Sequence, residues 1–298
     1  MSDTSKYHLP KGTSADGPYD LLITPESAGW EYSGLRILTL APGEAHTLST
    51  GDSEFLVLPL TGSCTLTTDT KAFELAGRTG VFASTTDFAY LSRESEALIS
   101  SASGGRFALP SARTERGGQP ARYGRKEDVP VELRGAGACS RQVNNYCLPG
   151  TFDAEQLLVC EVLTPGGNWS SYPPHKHDEV RTDEAGNPVE SELEEIYYFE
   201  VSGDGNGFGY QRVYGTTDRP IEVLAEVRSG DAVLIPHGWH GPSIAAPGYD
   251  LYYLNVMAGP GQDRAWLICD DPAHGWVRST WESQDVDDRL PFEGPTEQ

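Results

Sequence analysis

The sequence predicts an all-β protein built from two similar barrels in tandem. Short runs of β-favouring residues recur from Leu35 onward, separated by turn residues at intervals that are typical of an all-β barrel. The first half of the sequence contains no convincing amphipathic helix. A weak internal repeat relates the first half to the second, and a length of 298 residues suggests about two domains.

Residues 1–103 are predicted to form the N-terminal barrel. Its strand candidates are Leu35–Leu40, Glu54–Leu60 and Cys64–Thr68. Residues 104–140 follow as a connector rich in Gly, Pro and Arg. In such an acidic chain we expect this basic segment to lie across an acidic surface as an ordered connector, with a binding arm as the alternative.

The second predicted barrel, residues 141–281, contains a His-x-His motif that indicates a metal site. His175 and His177 are two positions apart, so on a strand both imidazoles point to the same face. Pro173 and Pro174 precede the pair and argue against a helix there. Two imidazoles can therefore share one ion.

Two further ligands are predicted from the apolar segments that follow. Glu195 heads a strand of β-favouring residues, where an unpaired carboxylate in a dry interior is costly. His240 follows a Gly-Asp-x-Val-x-Ile-Pro-x-Gly turn that begins at Gly230. We therefore expect one divalent metal ion at His175, His177, Glu195 and His240. This mixed set suits zinc, manganese, iron, nickel or copper, and the sequence does not select among them.

These motifs resemble those of the cupin superfamily, which carries a His-x-His…Glu motif and a Gly-(x5)-Pro-x-Gly…His motif on a small antiparallel jelly-roll barrel. Two departures narrow the match. An insertion at residues 178–194 separates His177 from Glu195, and His240 comes one residue early. The segments that look like the 5-deoxy-glucuronate isomerases of myo-inositol catabolism are Pro173–Asp178, Leu193–Tyr198 and Tyr249–Gly259.

The resemblance implies a bicupin of two jelly-roll barrels and a metal-dependent aldose–ketose isomerase. Its reaction would convert 5-deoxy-D-glucuronate to 5-dehydro-2-deoxy-D-gluconate. The resemblance covers nearly the whole chain and is strongest from Arg141 to Trp276. Three alternatives stay open: an isomerase of 5-dehydro-4-deoxy-glucuronate, a cupin dioxygenase with the same three-His, one-Glu site, and a non-catalytic sugar-binding or storage barrel.

The internal repeat shows which predicted metal ligands of the second barrel have a counterpart in the first. Glu54–Gly62 matches Glu195–Gly203 with the same Glu-to-Gly spacing, which favours Glu195 over Glu194 as the ligand. The same register places Tyr90 where the second half has His240.

The N-terminal barrel is therefore expected to be degenerate. It keeps only His46 and Glu54 of a ligand set, which cannot fill a stable mixed site. We expect this half to be structural, packing against the second barrel or a neighbouring subunit, and the molecule to be a homo-oligomer.

Isomerisation of a sugar acid needs a Lewis acid, a proton carrier and a partner for the carboxylate. His237 is a candidate catalytic residue because it lies close to His240 in sequence. Tyr197 is another, because it shares a strand face with Glu195. The alternatives are structural: His237 caps the turn, and Tyr197 fills the barrel. Arg212 is the predicted binding partner of the substrate carboxylate.

Two acidic segments lie near the predicted site. Residues 178–194 carry seven carboxylates opposed only by Arg181, and they form either a lid over the metal or a solvated surface hairpin. Residues 282–298 are predicted to be a frayed acidic tail.

Composition limits the partners and the compartment. Twenty-two Lys and Arg residues stand against 44 Asp and Glu, a formal net charge of −22 that argues against nucleic acid and anionic membranes as partners. Five irregularly spaced cysteines without a Cys-x-x-Cys pair indicate a reducing compartment. No signal-peptide pattern or long apolar run is present, so we expect a cytoplasmic protein. The family resemblance implies a small sugar acid as its partner.

Overall fold

Strands dominate the computed structural model, which describes residues 3–292, and the all-β prediction is confirmed. The strands are β1 His8–Leu9, β2 Tyr19–Ile23, β3 Ser33–Leu40, β4 Ala45–Ser49, β5 Ser53–Thr67, β6 Ala72–Arg78, β7 Phe88–Leu91, β8 Glu96–Ser100, β9 Gly105–Arg113, β10 Arg122–Gly124, β11 Val131–Arg134, β12 Arg141–Cys147, β13 Leu158–Thr164, β14 Trp169–Ser170, β15 His175–Lys176, β16 Asp178–Thr182, β17 Pro188–Glu192, β18 Glu194–Val201, β19 Gly209–Tyr214, β20 Glu222–Val227, β21 Ala232–Ile235, β22 Trp239–Ala245, β23 Leu251–Ala258 and β24 Cys269–Asp270.

The helices of the described residues are short. They are α1 Thr4–Tyr7, α2 Pro25–Ala28 and α3 Val277–Thr280, with 3₁₀ turns at Lys126–Asp128, Gly137–Cys139 and Trp281–Ser283. Over residues 3–292, none is long or apolar enough to cross a bilayer.

Nine strands of the first half form one antiparallel sheet around β5. The order is β10-β7-β5-β9-β3-β2, and β4, β6 and β8 join it through β5 and β8. The two predicted strands Glu54–Leu60 and Cys64–Thr68 are parts of the single strand β5. Gly62 lies between them at φ +79°, where a Cβ would approach the Gly104 carbonyl oxygen to 2.4 Å. A glycine therefore lets the strand bend without ending.

The second half contains two larger sheets and a hairpin. One sheet has the order β1-β21-β18-β23-β13-β12-β11, and the other has the order β20-β19-β22-β15-β24 with β14 on β22. Side chains from both sheets pack into one buried cluster that includes Phe199, Val213 and Met257. β16 and β17 pair only with each other.

The two halves share a large apolar interface. Leu56 and Leu58 of the N-terminal sheet and Ile196 and Leu254 of the seven-stranded sheet belong to one buried cluster. Strand alternation explains how β18 serves two cores, because Ile196 faces this interface while Phe199 faces the interior of the second half.

Two glutamates, the buried Glu54 and the partly buried Glu194, fasten the halves by accepting backbone N–H groups of the other half. Glu54 accepts from the amides of residues 155–157 at 2.6 to 2.8 Å. Glu194 accepts from the amides of residues 31–33 at 2.7 to 2.9 Å. In addition, Arg78 of β6 forms a fully buried ion pair with Glu161 of β13.

The predicted connector begins too early. Residues 105–113 form β9, which pairs with β3 and β5 inside the N-terminal sheet. At the other end, β11 joins the seven-stranded sheet of the second half. Conversely, β1 pairs with β21, so the start of the described chain lies in the second half. The remaining domain boundaries stay predictions.

The predicted frayed tail is wrong for residues 282–292. The amide of Phe292 donates to Oε1 of Gln142 at 2.7 Å, and its ring packs against Phe82 with centroids 6.2 Å apart. The amide of Asp287 donates to Oγ of Ser140 at 3.0 Å. These contacts hold an acidic segment that composition alone predicts to be mobile. Residues 293–298 lie outside the described part of the chain.

Candidate metal centre and adjoining cavity

The structure brings the four predicted ligands together. Donor atoms of His175, His177 and His240 lie within 4.8 Å of one another. Oε2 of Glu195 lies 3.2 Å from Nε2 of His177 and 3.1 Å from Nε2 of His240. All four side chains are buried, with exposures from 1% to 8%. His175 of β15 lies opposite His240 of β22, and His177 follows directly after β15. The carboxylate of Glu195 comes from β18 of the facing sheet.

Neighbouring groups orient these side chains. Nδ2 of Asn255 donates to Oε1 of Glu195 at 2.5 Å, which turns Oε2 toward the histidines. Nδ1 of His240 lies 3.2 Å from the Gly238 carbonyl oxygen, so the proton belongs on Nδ1 and the Nε2 lone pair faces the centre. Nε2 of His240 is buried and makes no hydrogen bond of acceptable geometry with the described residues.

The donor set fits a divalent metal ion. Burial and the neighbouring imidazoles hold the pKa of His175 well below its usual value, so this ring is neutral and can act as a ligand. Burial raises the pKa of Glu195, but His240 and His177 outweigh that effect and hold it below its usual range. Three imidazoles and a carboxylate suit a first-row transition metal or zinc.

A cavity of about 450 Å³ adjoins the candidate centre. His175, Tyr197 and Asn255 line it beside the ligands. The other walls come from β11, β12 and the segment 266–281. This segment is held in place by β24, which pairs with β15 so that Asp270 lies opposite His175.

Tyr197 lies in this cavity wall, as expected for a catalytic candidate. Its ring stacks on Tyr253 with centroids 4.8 Å apart and lies 6.1 Å from the ring of His240. Its hydroxyl lies 3.0 Å from Oγ of Ser171. Burial and the charge of Glu195 raise the pKa of Tyr197 well above its usual value, so the phenol keeps its proton.

The structure does not bring His237 to this cavity. His237 is half-buried and is not among the residues that line the space beside His175. Burial and the nearby Arg219 lower the pKa of His237, and Asp178 opposes them. His237 is a catalytic candidate because it is close to His240 in sequence. Closeness in sequence does not determine whether its side chain reaches the cavity.

Arg212 also lies away from the cavity. On β19, Gln211 and Val213 are fully buried, and Arg212 between them is exposed. Its guanidinium stacks over the ring of Tyr214, 4.0 Å from the centroid. Strand alternation puts Arg212 on the opposite face from Gln211 and Val213, but alternation alone does not say which face is the inner one.

Sequence reasoning missed Arg141, which lines the cavity and is 7% exposed. It starts β12, and its Nη1 donates to the Cys139 carbonyl oxygen at 3.2 Å. Burial lowers the pKa of Arg141 to about 10. No motif surrounds this residue, and only the folded arrangement shows that it reaches the same space as His175.

The acidic insertion is a surface hairpin beside the site. Its strands β16 and β17 are mostly exposed and do not line the cavity. Lys176, which strand alternation points away from the metal ligands, holds the hairpin: its Nζ lies 2.6 Å from Oδ1 of Asp178 and 2.7 Å from Oε1 of Glu190. The wall that covers the cavity is instead the segment 266–281.

The corresponding groups of the N-terminal half are used differently. Tyr90, in the position that matches His240, donates to Oε2 of Glu54 at 2.8 Å. His46 lies 2.7 Å from the Tyr19 hydroxyl oxygen. Among the residues that the structure describes, only His175, His177 and His240 form a group of three or more such side chains close enough to hold a metal ion.

Comparison with known proteins agrees with the family resemblance. The profile of the KduI/IolB family matches residues 8–277. The chain is 43% identical over 257 residues to a 5-deoxy-glucuronate isomerase of Geobacillus kaustophilus, covering 86% of this chain and 89% of that one. Identity to the enzyme of that name from Bacillus subtilis strain 168 is 39%, covering 86% of this chain and 91% of that one.

Solved structures support the fold. The crystal structure of an IolB-like protein from Salmonella typhimurium LT2 matches with a TM-score of 0.82 at 33% identity, covering 91% of this chain and 98% of that one. An oxalate decarboxylase from Lactobacillus farciminis matches with a TM-score of 0.57 at 11% identity, over 84% of this chain and 82% of that one. The second likeness concerns the fold alone.

Proposed function

Since this chain belongs to the KduI/IolB family, we propose that it is a metal-dependent aldose–ketose isomerase that converts 5-deoxy-D-glucuronate to 5-dehydro-2-deoxy-D-gluconate in myo-inositol catabolism. The observation that carries this proposal is the convergence of His175, His177, Glu195 and His240 beside a cavity of about 450 Å³. Relatives named 5-deoxy-glucuronate isomerase, at 36% to 43% identity, give the substrate.

The four ligands would hold one divalent ion, of zinc, manganese, iron or nickel. Such an ion, when bound, would polarise the carbonyl of an aldose in the cavity and favour loss of the proton from the neighbouring carbon. The chain's own contribution is a cavity lined by both polar and apolar side chains, together with oriented hydrogen-bond donors.

Tyr197 is the catalytic residue that this geometry supports. Its protonated hydroxyl lies in the cavity wall and is positioned by Ser171 and by stacking on Tyr253. It can donate a hydrogen bond to a sugar oxygen that gains negative charge as the adjacent C–H proton leaves.

A direct assay separates the proposed substrate from its nearest rival. Purified protein is incubated with 5-deoxy-D-glucuronate and, separately, with 5-dehydro-4-deoxy-D-glucuronate, and the keto acid products are followed by NMR. We expect turnover of the first substrate, loss of turnover after chelation and recovery when a divalent metal is returned. Turnover of the second substrate alone, or oxygen consumption during the reaction, contradicts the proposal.

Two histidine variants test the metal site, one in the candidate centre and one as a matched control. His240→Ala removes a ligand, and we expect loss of both bound metal and turnover. His46→Ala alters a histidine that lies against Tyr19 in the N-terminal half, and we expect metal content and turnover to stay at the level of the unmodified protein. Full activity of a folded His240→Ala protein would contradict a metal site at these residues.

The proposal includes a cytoplasmic location and a homo-oligomeric state. The five free thiols, at Cys64, Cys139, Cys147, Cys160 and Cys269, suit a reducing compartment. Exposed apolar side chains such as Leu224 (65%) and Trp276 (64%) offer surface for contacts between subunits. Light scattering after size-exclusion chromatography tests the oligomeric state.

A further inference from the structure

Three arginines line the cavity beside the candidate metal centre, and two of them have carboxylate partners. Nε of Arg134 lies 2.9 Å from Oε1 of Glu132. Arg278 forms a two-point contact with Asp270, at 2.5 and 2.7 Å. The third, Arg141, has no carboxylate within ion-pair distance among residues 3–292. The cavity wall therefore carries one surplus positive charge.

The surroundings of Arg141 make this surplus significant. Arg141 is buried, its hydrogen-bond acceptor is the Cys139 carbonyl oxygen at 3.2 Å, and its guanidinium lies 5.6 Å from the ring centroid of Trp281. The nearby Arg134 and Arg278 repel it rather than compensate it. A buried, uncompensated charge destabilises a protein unless a counter-ion binds. The sequence contains 44 acidic residues, yet none in the described part of the chain pairs with Arg141.

We propose that Arg141 binds the carboxylate of the substrate and thereby selects sugar acids over neutral aldoses. This inference rests on the proposed function. A guanidinium presents parallel N–H donors that match a carboxylate in a two-point contact. Because Arg141 and His175 line the same cavity, one sugar acid can place its carboxylate on the arginine and its carbonyl at the candidate metal centre.

The test compares an acid with its neutral analogue. Steady-state kinetics are measured with 5-deoxy-D-glucuronate and with its primary amide, for the unmodified protein, Arg141→Gln and Arg141→Lys. We expect Arg141→Gln to lower kcat/KM for the acid by about 100-fold, mainly through KM, and to change kcat/KM for the amide by less than about threefold. Arg141→Lys keeps the charge but loses the two-point geometry, so we expect an intermediate loss of about tenfold.

Two other arginine variants complete the kinetic design. Arg228→Gln removes an exposed cation that pairs with Glu226 at 2.6 Å, and we expect unchanged kinetics. Arg212→Gln tests the residue predicted from sequence. A loss for the acid in Arg212→Gln together with unchanged kinetics in Arg141→Gln overturns the assignment, as does an equal loss for acid and amide in Arg141→Gln.

Binding measurements keep this inference separate from the reaction. Calorimetric titration of metal-loaded protein with D-glucuronate and with D-glucose should give weaker binding of the acid, but not of glucose, in Arg141→Gln. If the unmodified protein does not turn over 5-deoxy-D-glucuronate, the proposed function fails while this titration still decides the role of Arg141. The melting temperature of each variant shows whether it is folded. If Arg141→Gln has a lowered melting temperature, Arg141→Lys is compared with the unmodified protein instead. Equal affinity for D-glucuronate in the folded variant and the unmodified protein contradicts the inference.

Discussion

In the proposed function, the hydroxyl of Tyr197 donates to the substrate while its ring packs on Tyr253. Tyr197→Phe keeps the ring stacked on Tyr253 and removes the donor to a sugar oxygen. We expect kcat to fall by about 100-fold or more, with bound metal unchanged and a stability loss of about 1 kcal/mol from the missing contact with Ser171. Steady-state kinetics, metal analysis and urea unfolding measure the three effects.

The exposed Tyr210 provides the control for this change. Tyr210→Phe removes a hydroxyl from a side chain that is 39% exposed, and we expect no effect on kcat. An unchanged kcat in Tyr197→Phe would assign Tyr197 to packing alone.

Asn255 is a single contact on which the orientation of Glu195 depends. Asn255→Leu fills a similar volume but cannot donate to Oε1 of Glu195. Partners of metal ligands typically contribute 10- to 100-fold in affinity, so we expect metal retention against a graded chelator to weaken by about that factor. Asn187→Leu, in the turn of the surface hairpin, is the control. Equal retention in both folded variants would show that Glu195 needs no such support.

Among the elements, the segment that follows α3 depends on a charged contact. Oδ2 of Asp287 accepts from Nδ2 of Asn168 at 2.9 Å and from Arg289 at 2.6 Å. The hydrogen bonds from Arg289 hold the pKa of Asp287 below its usual range, against the opposing effect of burial. A carboxylate whose pKa is depressed in the folded state stabilises the fold above its unfolded pKa of about 3.9, and this contribution is lost as the pH falls through the folded pKa.

Asp287→Asn should therefore lower the melting temperature most at neutral pH. We expect the difference from the unmodified protein to be constant from about pH 7 to about 4 and to narrow as the pH falls further toward about 2, because there the unfolded state of the unmodified protein binds a proton that the folded Asp287 does not. Differential scanning calorimetry over this range measures the difference. Asp69→Asn, in an exposed turn, is the control. A difference that stays constant down to about pH 2 would contradict a role for the charge.

The elements also show where sequence reasoning reaches its limit. The spacing of His175 and His177 is local, so strand periodicity is enough to predict that both side chains point to one face. The internal repeat favours Glu195 without any knowledge of the folded structure. Arg212 fails because periodicity defines two faces without identifying the inner one. The role of Arg141 cannot be recognised from its sequence neighbours. It depends on the cavity that Arg141 lines together with the segment 266–281, which lies over 100 residues away in the chain.

Local composition misleads in a different way at β9. Its glycine and proline predict a connector, but the strand is stabilised by pairing with β3 on one side and β5 on the other. Tertiary pairing overrides weak local preference there. For the insertion after His177, the sequence left two alternatives open, a lid over the metal and a surface hairpin. The position of the hairpin, outside the cavity, decides between them.

At the scale of the whole molecule, the two halves use matching glutamates differently. Glu54, which matches the candidate ligand Glu195, accepts hydrogen bonds from backbone amides of the second half. Glu194 does the same in the opposite direction. The half without the histidine group thus fixes the half that has it.

The shared core makes the halves one thermodynamic unit. The apolar interface, the two glutamates and the buried pair of Arg78 with Glu161 would all be exposed if one half unfolded alone. We therefore expect a single calorimetric transition, with the calorimetric enthalpy equal to the van't Hoff enthalpy of the cooperating unit. Two resolved peaks would contradict this coupling.

The pairing of β1 with β21 also sets an order of events during synthesis. His8 contacts Asp231, a partner 223 positions later in the chain. At about 5 to 20 residues per second, the ribosome delivers β21 on the order of ten seconds or more after β1. Strand β1 therefore cannot pair with β21 until the entire N-terminal sheet has been translated. The seven-stranded sheet next to the candidate metal centre is therefore completed by a segment that emerged long before its neighbours.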